Sequence, residues 1–161
     1  DRTIGAPTDF LRWRGGLGVL RSLRDDNTRV LARLELGAIW TDGFNQMPAS
    51  LRFYAGGDRS IRGYDYQTLS PRDAYGKLIG GRYLSVGSLE ISRRVRPGWR
   101  VAAFIDGGGA FTDHHDKLYQ SAGIGLRWLS PIGQIRIDIA APVCDSENST
   151  LKFHVSMGPP L

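Results

Sequence analysis

Apolar and polar side chains alternate with a period of two through seven segments of this chain, and this pattern constrains the fold most. Residues 134–140 are the clearest case, with isoleucines on one face and polar residues on the other: Ile135, Ile137 and Ile139 against Gln134, Arg136 and Asp138. Such alternation indicates a β-strand whose two faces meet different surroundings. Similar patterns, some of them weaker, cover residues 10–21, 29–40, 83–93, 99–111, 121–128 and 151–157. The chain is therefore predicted to be all-β.

The connections between these predicted strands alternate between short and long. Residues 24–27, 96–98 and 130–133 form the short connections, and residues 41–81, 112–118 and 142–150 form the longer ones. Outer-membrane barrels have short turns on the periplasmic side and longer loops outside. The pattern predicts an antiparallel, up-and-down transmembrane β-barrel whose last strand runs towards the periplasm.

Strand length and tryptophan positions also indicate a membrane barrel. The predicted strands have about ten residues, against a usual five or six in soluble sheets. Ten residues at ~3.3 Å each, tilted by ~45°, rise about 23 Å, close to the ~25 Å apolar band of membrane barrels. The four tryptophans stand on the apolar faces near strand ends, as in an interfacial girdle: Trp13, Trp40, Trp99 and Trp128. A soluble lipocalin-like barrel, with its apolar face inside, is the alternative.

Composition excludes several other classes. The net charge is +5, but the arginines are spread over alternate strand positions, so a nucleic-acid surface is not expected. The single cysteine, Cys144, falls in a predicted outer loop and cannot form an intramolecular disulfide. No apolar run reaches the ~18 residues of a membrane helix. Seven is an odd number of strands, whereas bacterial single-chain barrels have even numbers, so we expect residues 1–161 to be the C-terminal portion of a larger barrel.

No catalytic or metal site is predicted. Residues 113–116 read Asp-His-His-Asp, but adjacent histidines point apart, which favours a solvated loop tip over a metal site. His154 is interpreted as a polar residue of the lumen. The glycines 107–109 lack the helix and lysine of a phosphate-binding loop. We therefore expect neither an enzyme nor a cofactor.

The long connection 41–81, here called the motif loop, has an unusual composition. Its residues 52–64 read RFYAGGDRSIRGY, a mixture of glycines, aromatics and arginines that is not typical of disorder. If the loop folds into a polar lumen, Arg62 needs anionic partners there, since an unpaired buried charge is costly. Glu90 and Asp106 fall on the lumen faces of the next two strands. The residues alone leave open that Arg62 is exposed and has only solvent partners.

Residues 53–64 resemble a loop element of the outer-membrane assembly-factor superfamily, which includes BamA, TamA and the two-partner secretion transporters. Residues 58–66 with Ser70 and Pro71, and the segments 130–138 and 153–161, are most similar to the TamA group. The resemblance implies a barrel of about sixteen strands, preceded by periplasmic POTRA domains. This chain would supply the last seven strands, with the motif loop folded inward.

The resemblance also implies roles for particular residues. Arg62 would reach into the lumen and contact Asp106, with Glu90 nearby. Gly63 would allow close backbone approach, and Tyr64 would pack against the wall. The wall motif Phe-x-Asp-x-Gly corresponds to Phe104, Asp106 and Gly108. The terminal strand, with Phe153, Val155, Met157 and Gly158, resembles the targeting signal and gate edge of the family.

The function implied is that of the barrel component of a translocation and assembly module. Such a protein assists insertion of outer-membrane proteins, such as autotransporters, through a lateral gate and without a cofactor. Its partners would be outer-membrane lipid, client β-barrel proteins and an inner-membrane-anchored subunit. A two-partner secretion pore that exports a polypeptide, or a passive porin, are the alternatives.

Overall fold

The computed structural model describes residues 9–23, 27–113, 116–131, 133–143 and 150–158. These residues form one antiparallel sheet in which each strand pairs with the next along the chain, in the order β1 to β7. The strands are β1 (Phe10–Leu23), β2 (Thr28–Thr41), β3 (Tyr83–Arg96), β4 (Trp99–Phe111), β5 (Tyr119–Ser130), β6 (Gly133–Pro142) and β7 (Lys152–Gly158). The predicted all-β class and up-and-down order are thereby confirmed for the described residues.

Five of the seven strands are longer than the alternation alone indicated. β3 continues to Arg96, for instance, because its ladder with β4 persists to the two-residue turn at Pro97 and Gly98. His114, His115 and Cys144, which were interpreted as loop residues, lie outside the described residues. No helix among the described residues has the length and apolar character needed to cross a membrane.

One face of the sheet is apolar and exposed. Leu34, Leu89, Ile105 and Ile124 on four neighbouring strands are 45%, 47%, 58% and 65% exposed. The terminal strand adds Phe153, Val155 and Met157, also largely exposed. A contiguous exposed apolar surface of this kind marks a membrane or partner contact. We call it the exposed apolar face.

The motif loop covers the opposite face of the sheet, which we call the loop-covered face. Two short 3-10 helices, Phe44–Gln46 and Ala49–Leu51, begin the loop, and backbone bridges such as Phe53 with Gly81 and Ala55 with Leu69 hold it together. Apolar loop side chains pack on apolar strand residues, and together they form the buried core: Ile39, Phe44, Met47, Phe53, Ala55, Ile61, Tyr64, Leu69, Leu84, Val86 and Ala110. The loop is thus an ordered layer over the sheet.

Candidate functional site

Arg62 lies in the motif loop, and its side chain is buried between the loop and the sheet, with only 2% of the residue's surface exposed. Its Nε donates to Oδ2 of Asp106 at 2.8 Å, and its Nη2 donates to Oδ1 of the same carboxylate at 2.8 Å. The backbone N–H of Arg62 also donates to Oδ2 at 3.0 Å. This is the two-pronged geometry for which the planar guanidinium is suited and a lysine is not. The contact joins the loop to β4.

Glu90 on β3 is a second partner of the same arginine. Nη1 of Arg62 donates to its Oε2 at 2.9 Å. Ser88, on the same face of β3, accepts from Nη2 of Arg62 at 3.2 Å and donates to Oδ1 of Asp106 at 2.7 Å. The structure therefore brings together Arg62, Glu90 and Asp106, the three charged residues named from the sequence.

Two further charged residues complete the site and were missed by sequence reasoning. Arg127 on β5 is 2% exposed and donates from Nη2 and Nε to the two oxygens of Glu90, at 2.8 and 3.1 Å. Its Nη1 donates at 2.5 Å to Asp138 on β6. Asp138 also accepts from Arg62 at 3.4 Å. We call Arg62, Glu90, Asp106, Arg127 and Asp138 the charge cluster.

The contact between Arg127 and Asp138 could have been predicted from the hairpin of β5 and β6. The turn between these strands is short, which fixes the register and pairs Gly125 with Asp138. Arg127 is then two residues away on the same face, in diagonal reach of the carboxylate. Gly125 provides the space, because a Cβ there would lie 1.8 Å from Oδ1 of Asp138 and 2.5 Å from Nη1 of Arg127.

The wall residues Phe104 and Gly108 lie on β4 on either side of Asp106. The Cζ of Arg62 sits 3.4 Å from the centroid of the Phe104 ring, so the guanidinium stacks on the aromatic face. Gly108 has a φ of 136°, and a Cβ there would lie 1.9 Å from the carbonyl oxygen of Ser85 on β3. Phe104 thus contacts the charge cluster directly, whereas Gly108 allows close approach of two strands.

Arg62 is held in its charged form. Burial alone would lower the pKa of its guanidinium, but the hydrogen bonds and negative charges of Asp106 and Glu90 outweigh burial and raise the pKa above its ordinary value. The arginine is therefore a permanent cation among carboxylates, and a proton-transfer role is unsuited to it. Arg62 can therefore bind and position carboxylates in the site.

Gly63 and Tyr64 follow Arg62 and pack against the strands. Gly63 has a φ of 92°, and a Cβ there would lie 3.1 Å from the Cβ of Ser121 on β5. The Tyr64 ring makes an edge-to-face contact with Tyr119, with 5.4 Å between centroids. Its hydroxyl donates to the backbone carbonyl of Gln120 at 3.3 Å. Both residues lie against β5, on the loop-covered face.

The terminal strand β7 meets the motif loop on that same face. Nε2 of His154 accepts a hydrogen bond from the backbone N–H of Gly63 at 3.2 Å, and its Nδ1 contacts Oδ1 of Asp58. Lys152 pairs with Asp65 at 3.0 Å. The sequence-predicted strand residues Phe153, Val155 and Met157 point the other way, to the exposed apolar face, and Gly158 ends the strand.

The Asp113–Asp116 segment shows local structure where it is described. The carboxylate of Asp116 accepts from the backbone N–H groups of Thr112 and Asp113, at 2.7 and 3.0 Å. Within the described ranges, no three His, Cys, Asp or Glu side chains gather as metal ligands would.

Comparisons with known proteins identify related sequences. Residues 8–159 match the model of the Omp85 superfamily domain. The outer membrane protein assembly factor BamA of Nitratidesulfovibrio vulgaris (strain Hildenborough) is 35% identical over 96% of this chain and 21% of its own length. BamA of Neorickettsia risticii (strain Illinois) is 26% identical over 92% of this chain and 22% of its own. The chain thus spans about a fifth of the length of these curated relatives.

Solved structures share the fold. BamA from Haemophilus ducreyi lacking POTRA domains 1–3 superposes with a TM-score of 0.75 at 19% identity, covering 92% of this chain and 35% of that one. CdiB from Acinetobacter baumannii superposes with a TM-score of 0.60 at 15% identity, covering 92% and 26%. With the family model matching nearly the whole sequence, the chain belongs to the Omp85 superfamily.

Proposed function

We propose that the chain is the C-terminal portion of a transmembrane barrel of about sixteen strands, whose exposed apolar face meets lipid and whose loop-covered face lines the lumen. The whole protein assists insertion and assembly of outer-membrane proteins, autotransporters among them, through a lateral gate beside β7. Its outer-membrane location follows from the superfamily and from its outer-membrane relatives. In this role the motif loop is a fixed internal brace.

One observation carries the proposal: polar and apolar side chains are distributed as expected for a membrane barrel. The five charged side chains of the charge cluster are almost fully buried between the motif loop and the sheet. Large apolar side chains on the other face of the sheet are exposed. A soluble barrel needs the reverse, since apolar surface left in water forfeits roughly 25 cal/mol per Å². Buried charges are tolerated here because each has partners within hydrogen-bonding distance.

The charge cluster gives the loop its role in this proposal. Arg62 joins the loop to β3, β4 and β6 through Glu90, Asp106 and Asp138. A porin constriction loop that merely narrows a channel does not require such a fixed anchor. We therefore propose that Arg62 braces the strands next to the gate so that the edge of β7 keeps a defined position.

The test uses the full-length protein with Arg62→Ala, and Arg59→Ala as the matched control. Arg59 belongs to the same motif but is exposed. We expect Arg62→Ala to lose the heat-modifiable folded form and to assemble less of an autotransporter client, while Arg59→Ala matches the wild type. Wild-type behaviour of Arg62→Ala in both assays would contradict the proposal.

Within the superfamily, we propose membership of a translocation and assembly module with an inner-membrane-anchored partner. The resemblance of residues 58–66, Ser70 and Pro71 to the TamA group supports this choice. A two-partner secretion pore is the second candidate, because the resemblance of the motif loop is to a superfamily that includes such transporters. Co-purification of the full-length protein with an inner-membrane subunit supports the first, and export of a soluble partner polypeptide without membrane insertion supports the second.

A further inference from the structure

We propose that His154 is a positioning residue that fastens the terminal strand β7 to the motif loop, so that one loop segment holds both the charge cluster and the edge of the sheet. Both ring nitrogens of His154 make the contact, one with Gly63 and the other with Asp58. Its consequence for client insertion rests on the proposed function.

Under the proposed function β7 borders the lateral gate, where a contact from the loop helps to fix its position. The strand has seven residues, against ten to fourteen in the other strands, and among the described elements it pairs only with β6. A short edge strand opens more readily than a central one. A contact from outside the sheet therefore has a large effect on its position.

The two ring nitrogens of His154 both contact the loop. The N–H of Gly63 can only donate, so Nε2 must carry a lone pair. The proton of the neutral ring is then on Nδ1, where it is donated to the carboxylate of Asp58. The loop thus selects one tautomer of the ring and fixes its orientation by two directional bonds.

The contact on β7 adjoins the contact at the charge cluster. The backbone N–H of Arg62 donates to Asp106, and the next N–H along the chain, that of Gly63, donates to His154. Consecutive peptide groups therefore join β4 and β7 to the same point of the loop. A displacement of Arg62 is transmitted to β7 over one residue.

Lys152 and Asp65 form a second contact between β7 and the loop, but it contributes less. Their side chains are 35% and 66% exposed, and exposed ion pairs are screened by water and salt. The His154 side chain is 12% exposed. We therefore assign the fastening of β7 mainly to His154.

Three substitutions separate hydrogen bonding from simple packing. His154→Leu keeps much of the side-chain volume but has no acceptor. His154→Gln keeps an amide oxygen that accepts from Gly63. Ser156→Ala, on the same face of β7 and two residues away, serves as the control because its side chain makes no hydrogen bond or ion pair within the described residues.

The experiment measures hydrogen exchange of β7 amides in the full-length protein in lipid nanodiscs. We expect exchange about tenfold faster in His154→Leu, since one lost hydrogen bond shifts a local opening equilibrium by about that factor. His154→Gln and Ser156→Ala should stay close to the wild type, and the peptide that contains Arg62 should remain protected in all three variants.

Unchanged β7 exchange in His154→Leu would overturn the proposal. Equally fast exchange in His154→Gln would overturn it too, because it would indicate a role in packing alone. Because Arg62→Ala and client assembly test the proposed function separately, either idea can fail while the other stands.

Discussion

Arg62 and Arg127 donate to the same carboxylate oxygen. Nη1 of Arg62 lies 2.9 Å and Nη2 of Arg127 lies 2.8 Å from Oε2 of Glu90. The two arginines also share Asp138, at 3.4 and 2.5 Å. Since two cations are buried side by side, each depends on carboxylates that the other also uses. The charge cluster is therefore a single network that links the loop to four strands, and its members are not independent pairs.

Replacement of Arg127 is expected to destabilise the barrel. Arg127→Met keeps an apolar stem of similar length but leaves Glu90 and Asp138 with one arginine between them. Removing one partner of a buried ion pair costs about 3 kcal/mol or more. Unfolding of the protein by guanidinium chloride, monitored by tryptophan fluorescence, measures this loss of unfolding free energy.

Arg72→Met is the control for this measurement. Arg72 is exposed in the motif loop, and its side chain donates to the carbonyl of Gly76. Its replacement should change the unfolding free energy by less than about 0.5 kcal/mol. Equal effects of the two substitutions would show that the charge cluster does not stabilise the fold.

The strands could be predicted from the sequence because each has two faces in different surroundings. Ile135, Ile137 and Ile139 alternate with polar residues, and a one-residue shift in register would reverse every side chain. Three of the six connections are short, which allows only antiparallel neighbours, and their alternation with longer loops indicated the up-and-down order. Local patterns therefore determined the sheet.

The full charge cluster could not be predicted in the same way. Face and charge indicated Glu90 and Asp106 as candidate partners, but the family resemblance was needed to place Arg62 inward and to pair it with Asp106. Arg127 and Asp138 depend on a diagonal contact across a hairpin and on the space left at Gly125. The contact of His154 with Gly63 joins residues 91 positions apart, and no local pattern encodes it.

Gly125 is expected to tolerate no side chain. In Gly125→Ala the new Cβ would lie 1.8 Å from Oδ1 of Asp138, inside van der Waals contact, so the carboxylate or the strand must move. Overpacking of this kind costs about 1–3 kcal/mol, and here it also separates Asp138 from Arg127. The measurement is the temperature at which the heat-modifiable folded band disappears. Gly87→Ala is the matched control, because the atom nearest to the new Cβ would be 3.9 Å away. A lower transition temperature in Gly87→Ala but not in Gly125→Ala would contradict this prediction.

Phe104 is expected to hold the guanidinium of Arg62 through its aromatic face. Phe104→Leu keeps an apolar residue but removes the ring that lies 3.4 Å from Cζ, with an expected loss of about 2 kcal/mol for a desolvated cation–π contact. Phe104→Tyr retains the ring face and should lose less. Protease protection of the motif loop in the folded protein reports the difference. Identical protection in the Leu and Tyr variants would assign Phe104 to packing only.

The exposed apolar face is expected to respond to charge as a lipid-facing surface does. Ile105 lies in the middle of β4 and is 58% exposed. On a soluble protein, Ile105→Arg at an exposed site would change the unfolding free energy by less than about 0.5 kcal/mol. At the mid-depth of a membrane barrel, the same change costs about 2–4 kcal/mol.

Leu118→Arg provides the control, because Leu118 is 64% exposed but precedes β5 in a connection. Reversible unfolding in lipid vesicles should show the large loss for Ile105→Arg only. A negligible loss there would contradict a lipid-facing role for the exposed apolar face.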